Sequence, residues 1–520
     1  MNRRLASLGL VLVALPLAFV IAAALEPGGA ADLTHLVRTV LPGYLATTAL
    51  VATAAAGAAM ALGGGAAFAV TFLDFPGRRG LEAALVLPLA LPSYLLAIVY
   101  RELSHLAPGG PSAESTGGLV MVLVLALYPY VYLLARAAFR RQGADLMDAG
   151  RALGVGGPAL ARRVLLPLAR PALLLGGLLV VLETVGDFGT ADVLGVATLT
   201  TTVHRVWFAS FDALLALRLS LLTALIPLAL LVLYGLAVGR RSYHATANRP
   251  RRPARTALTG PARWLVPGLC ALPVLLGFAV PVLALVRWAV QALPRMDLAG
   301  LGGDILNSLL LAAAATALGL AGGLWFAAAG RLGGRLGGAR QGQGRWSVAA
   351  MGLVSLNFAL PAMVLAFAAL TLAGWMDGVP ALHHAAEWLS GSTALLLGAV
   401  ALRYMVFAHL GAEVGFRAIP PRLDDTVRCH GGGPRRVLAR VLLPLSGGAL
   451  AVGGLLVFVN ALKDLTLSLV LQPFGYGALS IATYHLAKVD AFQAGSVYAL
   501  CLVAVALYPV WSIHRWFDAR

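Results

Sequence analysis

Long apolar runs separated by short polar connections organise the whole 520-residue chain. Runs long enough to cross a bilayer, about 20 residues each, fall near 5–25, 44–70, 82–100, 117–138, 168–186 and 215–239. Six more follow near 264–290, 304–330, 347–372, 393–412, 446–470 and 494–512. The pattern predicts an all-α polytopic membrane protein with about twelve transmembrane helices in two six-helix halves. The runs at 44–70 and 304–330 exceed the thickness of a bilayer, so tilt or an interfacial extension is expected there. Leu91-Pro-Ser-Tyr94 and Leu360-Pro-Ala-Met363 place a proline inside corresponding runs, where it frees a carbonyl and permits either a hinge or an inert kink.

The polar connections divide the chain. Residues 241–263 include Asn248-Arg-Pro-Arg-Arg-Pro253 and have no apolar period, so they read as a linker between a first half, 1–240, and a second, 264–520. Arginines cluster in alternate connections: Arg3/Arg4, Arg78/Arg79, Arg140/Arg141 with Arg162/Arg163, Arg240/Arg241 with Arg251/Arg252, Arg331 to Arg345, and Arg435/Arg436/Arg440. The intervening connections hold isolated cations such as Arg38, Arg101 and Arg295. Positive loops stay in the cytoplasm, which places both termini there. The Gly-rich loop Gly330 to Arg345 is explained by this orientation alone and is assigned no function. Met1-Asn-Arg-Arg before the first run also resembles a secretory signal, but the run is longer than a signal core and its removal would leave the first half one helix short.

Composition narrows the function classes. A chain with 60% hydrophobic and 12% charged residues is solvated by lipid, as its mean hydropathy of +0.85 also requires. The net charge of +17 sits in the loop clusters, which argues for orientation and against nucleic-acid binding. Cys270, Cys429 and Cys501 offer neither a disulfide framework nor a CxxC metal site. Lys463 and Lys488 are the only lysines, and neither stands in a phosphate-binding loop, so the chain is not expected to hydrolyse ATP itself. No cofactor is implied, no Ser, His and Asp arrangement suggests covalent catalysis, and His383, His384 and Glu387 read as surface rather than as a metal site.

The most informative feature is a duplication. Asp148-Ala-Gly-Arg-Ala-Leu-Gly154 with Val164-Leu-Leu-Pro167 recurs as Asp425-Thr-Val-Arg-Cys-His-Gly431 with Val441-Leu-Leu-Pro444, and Gly176-Gly-Leu-Leu-Val180 recurs as Gly453-Gly-Leu-Leu-Val457. The offset is 277 residues throughout, from Asp148 to Asp425 and from Pro167 to Pro444, so two copies of one unit are fused. Each copy starts with an acid and continues in a helical stretch until Gly154 or Gly431 stops it, before a second short helix leads to a proline at the next apolar run. A rigid surface helix between two membrane helices suits a protein that another domain must grip and move.

These residues resemble the cytoplasmic coupling motif of binding-protein-dependent ABC importer permeases, usually written E-A-A-x-x-x-G-x9-I-x-L-P. The chain departs from it with Asp148 and Asp425 for Glu, Gly150 for the second Ala, and Thr426-Val427 for both alanines, while keeping the spacing. Leu182 to Gly195, Thr200 to Phe208, Lys463-Asp-Leu-Thr-Leu and Leu471-Gln-Pro-Phe-Gly475 are further similar to fused-half ferric-iron permeases. Fused permeases for thiamine, and related ones for phosphonate or sulfate, share the coupling motif. The resemblance implies a multi-pass protein of the bacterial cytoplasmic membrane, working with a cytoplasmic ABC ATPase dimer and an extracytoplasmic substrate-binding protein. It also implies that Asp148, Ala149, Gly154, Pro167, Asp425, Gly431 and Pro444 carry the coupling to the ATPase.

Candidate path residues come from charge inside the membrane. Glu183 and Asp187 share one helix face, and Asn460 and Asp464 occupy the matching positions of the second half beside Lys463. A charge at mid-membrane costs about 2.5–3.5 kcal/mol on insertion scales, so these groups face protein or water: either a translocation path or gate, or simple helix ends. An ion-coupled secondary transporter also has twelve helices in two repeats, but it needs midplane charges and no repeated docking helix. A membrane scaffold would need no paired polar groups.

Overall fold

The computed structural model describes residues 14–15, 18–22, 24–25, 38–106, 112–141, 157–238, 255–295, 298–333 and 345–519. Among them, nine helices are long and apolar enough to cross a membrane, and two bent helix pairs meet the same test when each pair is joined. Ten of these eleven elements coincide to within about six residues with runs expected from the sequence, while the eleventh, Pro434–Lys463, starts twelve residues before the run expected at 446–470 and ends seven before its end. The remaining run, 5–25, lies mostly outside the described residues. Strand structure among the described residues is one parallel bridge, Leu73–Asp74 on Thr256–Ala257, which ties the end of the linker to the end of helix Leu41–Phe72.

Proline explains where the helices bend. Residues before a proline are pushed out of the helical region by its ring, and Leu91 is extended (φ −94°, ψ 126°) before Pro92. The chain therefore turns by 92° between Arg78–Ala90 and Ser93–Leu106. In the second half the turn is 104°, between Ala350–Ala359 and Ala362–Asp377, with Pro361 extended (φ −53°, ψ 139°). The prolines mark breaks, not slight kinks. Arg403, a buried arginine of helix Ala394–Arg417, donates from Nη1 to the carbonyl of Leu360 freed by the second break.

A second proline effect recurs three times. The π turns Ala161–Leu165, Leu275–Ala279 and Leu438–Leu442 each end two residues before a proline: Pro167, Pro281 and Pro444. A proline ring inside a helix clashes with the carbonyl four residues back and leaves it without a donor. Widening the preceding turn relieves that clash while the helix continues.

The described chain forms two compact units. One comprises Thr34–Thr202 and Leu225–Gln291, and is built on the mutually packed helices Leu41–Phe72, Thr116–Arg141 and Leu166–Gly186. Close approach requires glycine here: a Cβ on Gly176 would stand 2.9 Å from Val131 Cα. In this unit helix Ala262–Val274 also packs, and Tyr100 donates to the carbonyl of Leu276 at 2.7 Å.

The other unit comprises Val203–Ala224, Ala292–Arg520 and the described part of Met1–Leu33. Its frame is the equivalent trio, Leu298–Gly333, Ala394–Arg417 and Leu443–Lys463. A Cβ on Gly453 would meet the Phe407 carbonyl oxygen at 2.8 Å, so the repeated Gly-Gly is the contact point of both trios. Trp207, from the first sequence half, stacks on Phe367 with ring centroids 4.1 Å apart. The compact units thus interleave along the sequence, each taking segments from both halves.

Candidate functional site

The repeated loop is described in its second copy. Pro421–Cys429 forms a helix that begins with a proline at its first position, where the missing N–H costs nothing. Two bonds close its end, from Gly432 N–H to the Val427 carbonyl and from Gly431 N–H to the Arg428 carbonyl, both 2.9 Å. This terminator puts the residue after the C-cap in the left-handed region, and Gly431 has φ +71°. No atom outside its chain neighbours lies within 4 Å of where a Gly431 Cβ would be, so glycine is needed for its backbone and not for space. A short helix, Pro434–Val437, then enters the π turn Leu438–Leu442 and continues past Pro444 into the spanning helix Leu443–Lys463.

Asp148, Ala149 and Gly154 lie outside the described residues. Pro167 does not: it stands after the π turn Ala161–Leu165, as Pro444 stands after its own. The junction into the membrane is therefore the same in both copies. In the second copy Asp425 is exposed, while its neighbour Asp424 is wholly buried. Asp424 meets Arg331 through two bonds of 3.0 Å, Nε to Oδ2 and Nη2 to Oδ1. Nothing in the sequence pattern signals this pair, because Arg331 reads there as one of several loop arginines.

The intramembrane carboxylates also repeat. Helix Leu166–Gly186 ends at Asp187 (φ −73°, ψ 119°), and Leu443–Lys463 ends at Asp464 (φ −65°, ψ 116°). Asp187 Oδ1 accepts the Thr190 N–H at 2.8 Å, and its Oδ2 accepts the hydroxyls of Ser93 and Thr190 at 2.8 and 2.7 Å. At Asp464, Oδ1 accepts the Leu467 N–H at 2.7 Å and Oδ2 accepts the Tyr404 hydroxyl at 2.6 Å. Each carboxylate thus opens the next short helix, Gly189–Val193 or Thr466–Leu471, by capping its free N–H groups. The backbone carbonyls are held alike, by Thr200 at 2.7 Å and Ser480 at 3.1 Å.

One turn earlier, Glu183 and Asn460 are half-buried, and the Asn460 amide donates to the Leu456 carbonyl at 2.8 Å. Glu183 and Asp187 belong to one compact unit, Asn460 and Asp464 to the other. The hydroxyl partners Ser93, Thr200, Tyr404 and Ser480 went unassigned in the sequence, although Ser93 follows the first break proline directly. His383 lies 2.8 Å by Nδ1 from Asp377 and 3.4 Å by Nε2 from Glu387, all three exposed.

An all-helical chain that repeats a surface-to-span junction and a carboxylate-ended helix at a constant interval is a membrane permease made by duplication. The chain belongs to the family described as binding-protein-dependent transport system inner membrane component, whose model matches residues 59–252. It is 23% identical over 526 residues to an Fe(3+)-transport system permease protein of Haemophilus influenzae, covering 96% of this chain and 95% of that one. Over 200 residues it is 30% identical to a probable molybdenum ABC transporter permease protein of Haloferax volcanii, covering 37% of this chain and 70% of that one. A sulfate transport system permease protein of Escherichia coli is 31% identical over 139 residues, 25% of this chain and 47% of that one. The chain is accordingly a multi-pass inner-membrane ABC importer permease of the fused-half type. Its relatives are permease subunits that are not themselves enzymes, and the family implies an ATPase and a substrate-binding protein as partners.

Proposed function

We propose that the chain is the membrane pathway of an ATP-driven importer of ferric iron. The full-length similarity to an Fe(3+)-transport permease supports the cargo, because it covers 96% of this chain where the molybdenum and sulfate permease similarities cover 37% and 25%. In this reading two sequence-homologous halves, 1–240 and 264–520, joined by the linker 241–263, each present one surface helix to a dimer of cytoplasmic ATPase subunits. Asp148, Ala149 and Gly154 belong to the first helix, Asp425 and Gly431 to the second, and Pro167 and Pro444 to the junctions with the membrane. Both termini lie in the cytoplasm, bilayer lipid surrounds the spans, and cargo arrives on an extracytoplasmic binding protein.

ATP binding closes the ATPase dimer and draws the two surface helices together, and the permease passes from inward-open to outward-open. Glu183, Asp187, Asn460 and Asp464 line the path or its gate. The supporting observation is that helices carrying carboxylates end at the same place in both units and turn directly into short capped helices. A desolvated cation is stabilised by such charges, whereas an oxyanion is not.

Vesicles holding the assembled complex decide the cargo and the path together. Glu183→Gln with Asp187→Asn and Asp464→Asn should lower ferric-iron uptake at least tenfold while the ATPase still copurifies. Full uptake by that assembled triple variant would leave the carboxylates as helix ends only. Wild-type uptake of molybdate or sulfate instead of ferric iron would overturn the cargo.

A further inference from the structure

We propose that Arg331 is a positioning residue that makes the surface helix Pro421–Cys429 move as one body with the spanning helices Leu298–Gly333 and Ala394–Arg417. The inference rests on the docking role given above to that surface helix. One guanidinium joins three elements. It stands at the end of Leu298–Gly333, grips Asp424 with its two-bond fork, and donates to the carbonyls of Phe416 and, at 3.0 Å, Ile419. Phe416 lies in the last turn of Ala394–Arg417, where carbonyls lack partners within the helix.

The connection's own backbone bonds run to its near neighbours, Ile419 N–H to the Phe416 carbonyl at 3.1 Å and Leu423 N–H to the Pro420 carbonyl at 3.2 Å. Pro420 and Pro421 have no N–H to donate, and no side chain caps the start of the surface helix. Asp424 and Val427 are three apart and so share its inner face; Val427 packs against the buried cluster that contains Leu332 and Phe416. Arg422, Leu423, Asp425 and Thr426 are exposed on the other side. One face is thus fastened to the spans while the other is open to a partner. A wholly buried carboxylate persists only with its cation, and the fork requires arginine because lysine offers a single point of contact. Side-chain exposures of 0% for Asp424 and 15% for Arg331 keep water from competing for the bonds.

The test uses the whole complex with its ATPase subunits in vesicles, and reads uptake per ATP hydrolysed. The cargo is whichever of ferric iron, molybdate and sulfate the wild type carries. Arg331→Gln should keep ATPase copurification and hydrolysis but lower uptake per ATP roughly tenfold, within the range of typical coupling energies. Arg331→Lys should fall between. Because a single change leaves a buried group unpaired, the double variant Arg331→Met with Asp424→Leu removes the clamp without an orphan charge, and such replacements leave folds intact. The double variant should be uncoupled as well. Wild-type uptake per ATP in the double variant, or a loss of assembled complex with an unchanged ratio, would overturn the proposal. An ATPase that fails to bind even the wild-type surface helix would instead refute the docking reading beneath it.

Discussion

Gly431 shows how one residue sets a surface. Its φ of +71° belongs to the left-handed region, so Gly431→Ala should cost about 1–2 kcal/mol locally and fray the end of helix Pro421–Cys429. Gly433 has φ −75° and open space around it, so Gly433→Ala should be close to neutral. Uptake and ATPase measured on both variants check this, and equal losses at the two positions would discard the backbone explanation. Gly431 was legible in the sequence because it stops a repeated helical stretch. Asp424 was not, since two adjacent aspartates at a helix start look alike until tertiary packing buries one of them and leaves Asp425 exposed. The same holds for Asp187 and Asp464. Their spacing marked them as a pair, but their hydrogen-bond partners Ser93 and Tyr404 come from distant segments.

At the scale of elements, proline does most of the shaping. Apolar run lengths located the spans, because a bilayer fixes how many helical residues are needed to cross it. The prolines in Leu91-Pro and Leu360-Pro announced a disturbance, yet turns of 92° and 104° depend on what receives the second segment, as Arg403 receives the Leu360 carbonyl. The π turns were invisible in the sequence, since each is the response of one helix to a proline two residues beyond it. Pro444→Ala should let Leu438–Leu442 return to ordinary helix, and removing one residue's widening rotates the surface segment by about 100° relative to the span. The expected result is a span that still inserts but a complex with several-fold lower uptake. Cysteine cross-linking between Thr426→Cys and the ATPase detects the rotation, and an unchanged cross-link pattern with full uptake would show the π turn to be incidental.

Across the whole molecule, orientation is the prediction with the widest reach. In a background lacking the three native cysteines, Ser242→Cys and Ser347→Cys should resist impermeant thiol reagents in intact cells. Ser112→Cys and Ser390→Cys should react. Labelling of Ser242→Cys from outside would invert the chain and remove the surface helices from the cytoplasm. By itself the sequence determined the all-helical membrane class, the places of the spans, the duplication and the spacing of its motifs. Those follow from local physics: the length of an apolar run, the conformational limits of proline and glycine, and a repeat that survives as an offset. The tertiary structure alone decided that the compact units interleave along the sequence, that Ser93 reaches Asp187 and Tyr404 reaches Asp464, and that Arg331 fastens Asp424. Burial and hydrogen-bond partnership join residues tens to hundreds of positions apart, and no local pattern in the chain carries that information.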